Sequence, residues 1–303
     1  SDTPVRDVMT PDPITMPGDA TALQALLSMT RRNIHHIPVL DPEGRVCTMI
    51  SANDLLSRLS GQAIYVTARI EKAPDAASVA AAARSVGASL VSLVEAGASA
   101  EAVGHFVSSI GEAVHRRLAE LAEQALGPPP VPYALLVFGS LAREDQTAKS
   151  DQDNGFLLDD RYDEAEHGAY FEALGRRLCD SLNEAGYVYC NGGIMASNPE
   201  WRMPLSRWKQ TFHRWITEPE PKSIMNATIF FDHRGVHGDL GLVEALRAHV
   251  LTLTKGDTIF LADMTQDALR STVPLGFFRQ LVLLKDKEHK DSLNLKRQGV
   301  VPI

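Results

Sequence analysis

Tyr133-Ala134-Leu135-Leu136-Val137-Phe138-Gly139-Ser140, and then Ser150-Asp151-Gln152-Asp153-Asn154-Gly155-Phe156-Leu157-Leu158, are the stretches on which the reading of this chain turns. The first six residues are continuously apolar, the pattern of a strand covered on both faces, and Gly139-Ser140 ends the run at a turn. A short helix is expected next, and then the second apolar strand, Phe156-Leu157-Leu158, closing on Asp159 and Asp160. Residues two apart on an extended segment project to one side, so Asp151 and Asp153 are expected to point together beside the Gly-Ser turn. Hard oxygen donors at one spot suit Mg²⁺, which takes one or two carboxylates and shares substrate phosphates for the rest. Gly139 lets backbone N–H groups approach a triphosphate, the Ser140 hydroxyl donates to a phosphate oxygen, and Arg143 and Lys149 add positive charge. Two ions about 3.5–4 Å apart then activate an attacking oxygen and stabilise a leaving pyrophosphate. Acid/base work by the two carboxylates, as in a glycosidase, would need them to face each other across a substrate.

Upstream, Gly127-Pro128-Pro129-Pro130-Val131-Pro132 excludes helix, because each proline removes a donor and biases its predecessor to extended geometry, and a domain boundary is placed there. Residues 74–126 are alanine-rich and read as two helices separated at Gly97. Val79, Ala83, Val86, Leu90 and Leu93 form one apolar stripe, and Val103, Val107, Ile110, Val114, Leu118 and Leu121 form the other. They are read as a connector that transmits movement or dimerises. From Val5 to Leu59 the pattern is strand, helix, strand, strand, helix. Thr21 is read as an N-cap ahead of Leu23, Leu26, Leu27 and Thr30. Asp41-Pro42-Glu43-Gly44 is a turn between Ile37-Pro38-Val39-Leu40 and Val46-Cys47-Thr48-Met49-Ile50, and Ser51 caps a helix containing Asp54.

Downstream, residues 164–185 read as a helix and Tyr187-Val188-Tyr189-Cys190 as a strand. Asn191-Gly192-Gly193-Ile194-Met195 reads as a phosphate-side loop or a plain turn. Trp201, Trp208 and Trp215 recur every seven residues with Leu205 and Phe212, as an aromatic wall for a base or as a packed amphipathic helix, the latter favoured for Trp208 and Phe212. His233 and His237 near Asp239 are discounted as a zinc site because Gly235 and Gly238 interrupt any helix that would align them. Leu242, Leu246, Val250 and Leu251, then Phe277, Phe278, Leu281 and Leu284, suggest a helical C-terminal part. Its Lys285, Lys287, Lys290, Lys296 and Arg297 either meet an acidic acceptor or are simply solvated.

The 303 residues are 44% hydrophobic and 22% charged, which excludes a disordered or fibrous chain. A net charge of −8 gives no basic field for a nucleic-acid duplex. Three cysteines are too few for a disulfide framework, no apolar run approaches the roughly 20 residues that span a bilayer, and the first residues hold no signal-peptide centre, so a cytoplasmic location is expected. Both ends read as cut, and a piece of a longer protein is expected.

The segment around Val8-Met9-Thr10, His36-Ile37-Pro38-Val39 and Met49-Ile50-Ser51-Ala52-Asn53-Asp54 resembles a single cystathionine β-synthase-type (CBS) repeat, over roughly 55 residues. The resemblance implies pairing with a second repeat, an adenine nucleotide in the cleft between the two, and contact of Ser51 with phosphate and Asp54 with ribose. Thr48 stands where that family usually has glycine. Gly139-Ser140 followed by Asp151-x-Asp153 is similar to the nucleotidyltransferase signature of the DNA polymerase β-like superfamily. The fuller string from Phe138 to Thr147 and from Ser150 to Asn154 resembles a branch found in signal-transduction proteins behind CBS repeats, related to the uridylyltransferase that modifies the PII protein. This resemblance runs from about residue 75 to the end. It implies Mg²⁺, an NTP substrate such as ATP or UTP, and a third carboxylate from a later strand. The expected strand, Tyr187–Cys190, carries no acid, and Asp232, at the end of Thr228-Ile229-Phe230-Phe231-Asp232, is the alternative, as catalytic residue or as turn cap.

The expected architecture is multidomain α+β: a CBS repeat (1–61, α/β), a helical connector (74–127), a DNA polymerase β-like nucleotidyltransferase domain with a mixed sheet and flanking helices (131–235), and a helical substrate-binding region (236–303). The expected function is Mg²⁺-dependent transfer of a nucleoside monophosphate from an NTP to an acceptor, a protein hydroxyl among the candidates, regulated by adenine nucleotide. The expected assembly is a homodimer through the CBS module or the connector. The competing expectation is a non-catalytic nucleotide sensor acting through partner contacts.

Overall fold

A computed structural model describes residues 3–4, 7–9, 11–20, 24–25, 28–29, 32, 34–51, 66–95, 98–147, 150–218, 229–255, 260–262 and 264–265. Thr21, Leu23, Leu26, Leu27, Thr30, Asp54, Gly97, Lys149 and the stretch 266–303 lie outside the described residues. Among the described residues no helix is long and apolar enough to cross a membrane.

The N-terminal part holds a three-stranded sheet of β1 (Met16–Pro17), β2 (His36–Leu40) and β3 (Val46–Ser51), with β1 parallel and β3 antiparallel to β2. Asp41 makes the β2–β3 turn. Its Oδ1 accepts the N–H groups of Glu43 and Arg45, and Gly44 takes φ +79°, open to glycine without strain. Ala25, Met29 and Ile37 form its small core.

Helix α1 (Ala76–Arg84) starts where the Asp75 carboxylate accepts the Ser78 N–H at 2.7 Å, and α2 covers Val86–Glu95. The single helix expected across Val79 to Leu93 is thus two. The break falls at Ser85, whose hydroxyl donates to the Ala82 carbonyl and competes with the helical ladder. Helix α3 (Ala100–Leu126) is capped by Ser99 and ends at Gly127, where the prolines begin. Its stripe of Val107, Ile110, Val114 and Leu118 is buried as the periodicity required.

Strands β4 (Tyr133–Phe138), β6 (Asn154–Leu158), β8 (Arg202–Pro204) and β9 (His233–Gly238) form a mixed sheet in the order β8-β6-β4-β9. Strand β4 is antiparallel to β6 and β9, and β6 is parallel to β8. Alternation explains the continuous apolar runs. Tyr133, Leu135, Val137, Phe156 and Leu158 face a core shared with α3 and α5 (Glu164–Ala185), while Ala134, Leu136, Phe138 and Leu157 face one shared with α6 (Leu205–Thr217) and α7 (Leu240–Thr254). The helices read as a connector therefore pack into the core of the sheet they precede. Trp201, Trp208 and Trp215 are all buried in the second core, so the packed-helix reading holds for Trp208, Trp215 and Phe212. Helix α7 buries Leu242, Leu246 and Val250, whereas Leu251 faces outward, one position beyond the buried stripe.

Two predictions arise from this packing. Gly175 lies inside α5, and a Cβ there would stand 2.2 Å from the Ala196 carbonyl oxygen. Alanine gains about 1 kcal/mol of helix propensity, yet the displaced neighbour is backbone, so Gly175→Ala should lower stability by a net of about 1–3 kcal/mol in denaturant unfolding. His115, fully buried in α3, donates from Nδ1 to the Gly111 carbonyl at 2.7 Å, and burial lowers its pKa to about 4. The unfolded chain protonates this histidine near its ordinary value while the folded chain resists. Its effect on stability is nil above about pH 6.5 and grows as pH falls toward 4, to a loss on the order of 3 kcal/mol. The acid limb of the stability profile should be shallower in His115→Gln.

Candidate active site

The site is built at the end of β4. The Phe138 N–H donates to the Asp153 carbonyl at 3.0 Å, and Gly139 turns with φ +54° into the short helix α4 (Gly139–Ala142). A Cβ on Gly139 would stand 3.8 Å from Asp153 Oδ2, so the turn faces that carboxylate with no side chain between. The Gly139 N–H already donates to the Asp232 carbonyl at 3.2 Å. Gly139 therefore serves this corner chiefly by lacking a Cβ, and Ser140, half-buried next to it, offers a hydroxyl.

Strand β5 (Asp151–Gln152) runs parallel to β7 (Val188–Tyr189), and Asp153 links β5 to β6. Along 151–154 acids and amides alternate. Gln152 and Asn154 are buried, with Gln152 Nε2 donating at 3.0 Å to the carbonyls of both Cys179 and Tyr187. The Asn154 amide donates to Gln152 Oε1, and its own oxygen accepts the Ala196 N–H at 2.8 Å. These buried amides pin the segment to α5, to β7 and to the glycine turn that follows, which fixes where the two intervening aspartates sit.

Asp151 and Asp153 converge as their spacing required, and a third donor meets them. One carboxylate oxygen of each and the Cys190 Sγ lie within 4.8 Å of one another. Cys190 is half-buried, and its pKa is pushed up to about 11 by burial and by the thiol's hydrogen bond to Asp153. The chemistry of the donor set fits a divalent cation, with two half-exposed carboxylates beside a glycine turn.

Asp232 is not part of this cluster. Ile229 and Phe230 are helical, and the strand begins only at His233, so the expected strand ending on Asp232 is not formed. Its carboxylate accepts from Arg143 Nη1 at 3.0 Å, while Asp145 takes Arg143 Nε at 2.9 Å. Burial alone would lower the Arg143 pKa, but these two hydrogen-bonded acids hold it above its ordinary value, so the guanidinium stays charged and its charge is spent locally. Arg143, Asp232, His233, Arg234 and Arg247 line a cleft of about 440 Å³. Neither Asp151 nor Asp153 lines it. His233 Nδ1 donates to the Phe230 carbonyl at 3.0 Å and His237 pairs with Glu123 at 2.9 Å, separate attachments that do not form a shared metal site. Ser51 ends β3, half-buried.

The sequence reading missed Gln152, Asn154 and Cys190. Their signal is positional: the two amides alternate with the acids, and Cys190 ends the very stretch searched for a third carboxylate.

Residues 84–222 match the family model described as putative nucleotidyltransferase DUF294, residues 5–61 match the CBS domain, and residues 258–303 match the putative nucleotidyltransferase substrate binding domain. Together the three matches are the combination of a CBS-linked putative nucleotidyltransferase. A search of curated proteins gave no match. The central DUF294 match takes in Gly139, Ser140, Asp151, Asp153 and Cys190 and extends through α6. Asp232 falls between the two transferase matches, and the CBS match includes both Ser51 and Asp54.

Proposed function

We propose that this chain moves a nucleoside monophosphate from an NTP to an acceptor hydroxyl at the corner formed by Gly139, Ser140, Asp151 and Asp153. The observation that carries this reading is the convergence of the two aspartates beside a glycine turn that faces Asp153. Asp151 and Asp153 would hold Mg²⁺, and the bare Gly139 backbone with the Ser140 hydroxyl would receive the triphosphate. When bound, the metal supplies positive charge to the α-phosphate and to the departing pyrophosphate. The acceptor oxygen forms the new bond to the α-phosphorus, the bond from that phosphorus to the β-bridging oxygen breaks, and the acceptor proton leaves to solvent. Arg143 is neutralised by Asp145 and Asp232, so it steadies the turn and adds less to phosphate binding than its position in the sequence suggests. Residues 131–235 and 236–303 act as the transferase and substrate-binding domains. The CBS repeat, paired with a second copy, binds adenine nucleotide through Ser51 and Asp54, and the packing of α3 into the sheet core carries its state to the site.

Label placement tests the reaction. Incubated with a cell extract as the source of acceptor, α-labelled NTP should leave label on a macromolecule with release of pyrophosphate. Transfer of label from γ-labelled NTP instead would make the protein a phosphoryl transferase and overturn the proposal. The lack of a third carboxylate in the described cluster favours a second reading, in which the same corner binds nucleotide and signals without transfer. Under that reading binding persists while no NTP yields labelled product.

A further inference from the structure

One donor of the cluster has no role in the reaction just proposed. The parallel register that sets Val188 against Asp151 and Tyr189 against Gln152 brings the next residue, Cys190, beside Asp153. Its thiol donates to the Asp153 carboxylate, so the sulfur is turned toward the acid pair. The backbone behind it is held on both sides. Strand β7 precedes it, and after it the Gly193 N–H donates to the Cys190 carbonyl at 2.9 Å while the Ile194 carbonyl accepts the Asn154 N–H at 3.1 Å. Ligands of one ion at about 2.0–2.3 Å stand roughly 3–4.5 Å apart, and the three donor atoms already lie within 4.8 Å, so rotamer adjustment alone would close them on a single centre. Asp232, the only other acid considered for this role, is tied to Arg143.

We infer that Cys190 is the third protein ligand of the metal site, binding as thiolate, and that the site ranks thiophilic divalent ions of the Zn²⁺, Co²⁺ and Cd²⁺ kind above Mg²⁺. The inference rests on the reading that Asp151 and Asp153 hold a divalent ion, and deepens it. Mg²⁺ gains little from sulfur and keeps its oxygen shell, whereas the softer ions gain a strong bond from a thiolate placed against two carboxylates. On binding, the thiol proton leaves to solvent and the Asp153 oxygen exchanges its hydrogen bond for the ion.

The test is titration of the whole chain with Cd²⁺ and with Co²⁺, followed by thiolate-to-metal charge-transfer absorption and by calorimetry. A Cys47→Ser background removes the exposed thiol. One equivalent of the absorption band is expected. It should vanish both in Cys190→Ser and in Asp151→Asn/Asp153→Asn. Cys190→Ser should weaken Cd²⁺ by more than the roughly tenfold that losing even an outer-shell partner costs. Cys190→Asp should move the preference from Cd²⁺ toward Mg²⁺, with the metal still bound. Aspartate-dependent Cd²⁺ binding without a band, or a band that survives Cys190→Ser, would overturn the role of Cys190 and leave the carboxylate site standing. Absence of any aspartate-dependent binding of Cd²⁺, Co²⁺ or Mg²⁺ would overturn both.

Discussion

Asp151→Asn together with Asp153→Asn is expected to reduce NTP-dependent pyrophosphate release by at least about a thousandfold while leaving the unfolding midpoint nearly unchanged. The expected loss follows from what the carboxylates do. Each asparagine keeps the size of the side chain and removes the charge that holds a divalent ion, and loss of that ion's stabilisation costs several kcal/mol in the transition state, with tenfold in rate for each 1.36 kcal/mol. The fold should tolerate the change because neither aspartate is fully buried and the anchoring of the segment belongs to Gln152 and Asn154. If the structural role lay with the acids, the double variant would unfold early. If the site lay elsewhere, turnover would persist. Pyrophosphate release measured beside thermal unfolding separates these cases.

Trp208→Ala carries the largest expected loss of stability, about 3–5 kcal/mol, against a typical total of about 5–15 kcal/mol for a domain. Trp208, on α6, is wholly buried against β4 and β6. Its ring lies 6.1 Å from both Phe138 and Trp201 and 5.7 Å from Phe230, and its indole N–H donates to the Phe156 carbonyl at 3.1 Å. Alanine opens a cavity that three neighbouring rings cannot collapse to fill, and it removes the donor as well. Trp208→Phe keeps most of the volume and should cost about 1–2 kcal/mol, chiefly through the lost hydrogen bond. Phe138 leads directly into Gly139, so a loosened second core should also weaken nucleotide binding before the protein unfolds. A destabilisation below 1 kcal/mol in denaturant unfolding of Trp208→Ala would contradict the packing described.

Much of this was legible in the sequence because local chemistry and tertiary context agree there. Helix α5 runs from Glu164 to Ala185, as read, because Asp163 caps its start with hydrogen bonds to two N–H groups and Gly186 closes it at φ +106°. Strand β4 was legible because six continuously apolar residues bounded by Pro132 and Gly139 are too short for a buried helix and suit a strand covered on both faces. Strand β9 was not. Its residues His233-Arg234-Gly235-Val236-His237-Gly238 have no apolar alternation, and the edge is held instead by pairing with β4 and by Glu112 and Glu123 reaching Arg234 and His237 from α3. A preceding apolar stretch, Ile229-Phe230-Phe231, drew the strand assignment to itself, and Asp232 was placed with it.

The candidate site divides in the same way. The i, i+2 spacing of Asp151 and Asp153 is enough to bring them together, since it acts within one extended segment. The third donor comes from a separate parallel strand, and its identity depends on a register that no local signal encodes. Tyr187–Cys190, the stretch searched for a third carboxylate, holds none, and the Cys190 thiol at its end lies beside the two aspartates. Arg143 reads in the sequence as a lone arginine near a glycine turn, and its pairing with two aspartates, one of them 89 positions away, carries no local signal.

The central claim is that Asp151 and Asp153 make a metal-dependent nucleotide site. Calorimetric titration of ATP and UTP into the whole chain, with and without Mg²⁺, tests it most directly when repeated on Asp151→Asn/Asp153→Asn. The account predicts binding that requires Mg²⁺ and disappears in the double variant. Binding that ignores both the metal and the substitutions would contradict it and move the nucleotide site to the CBS segment.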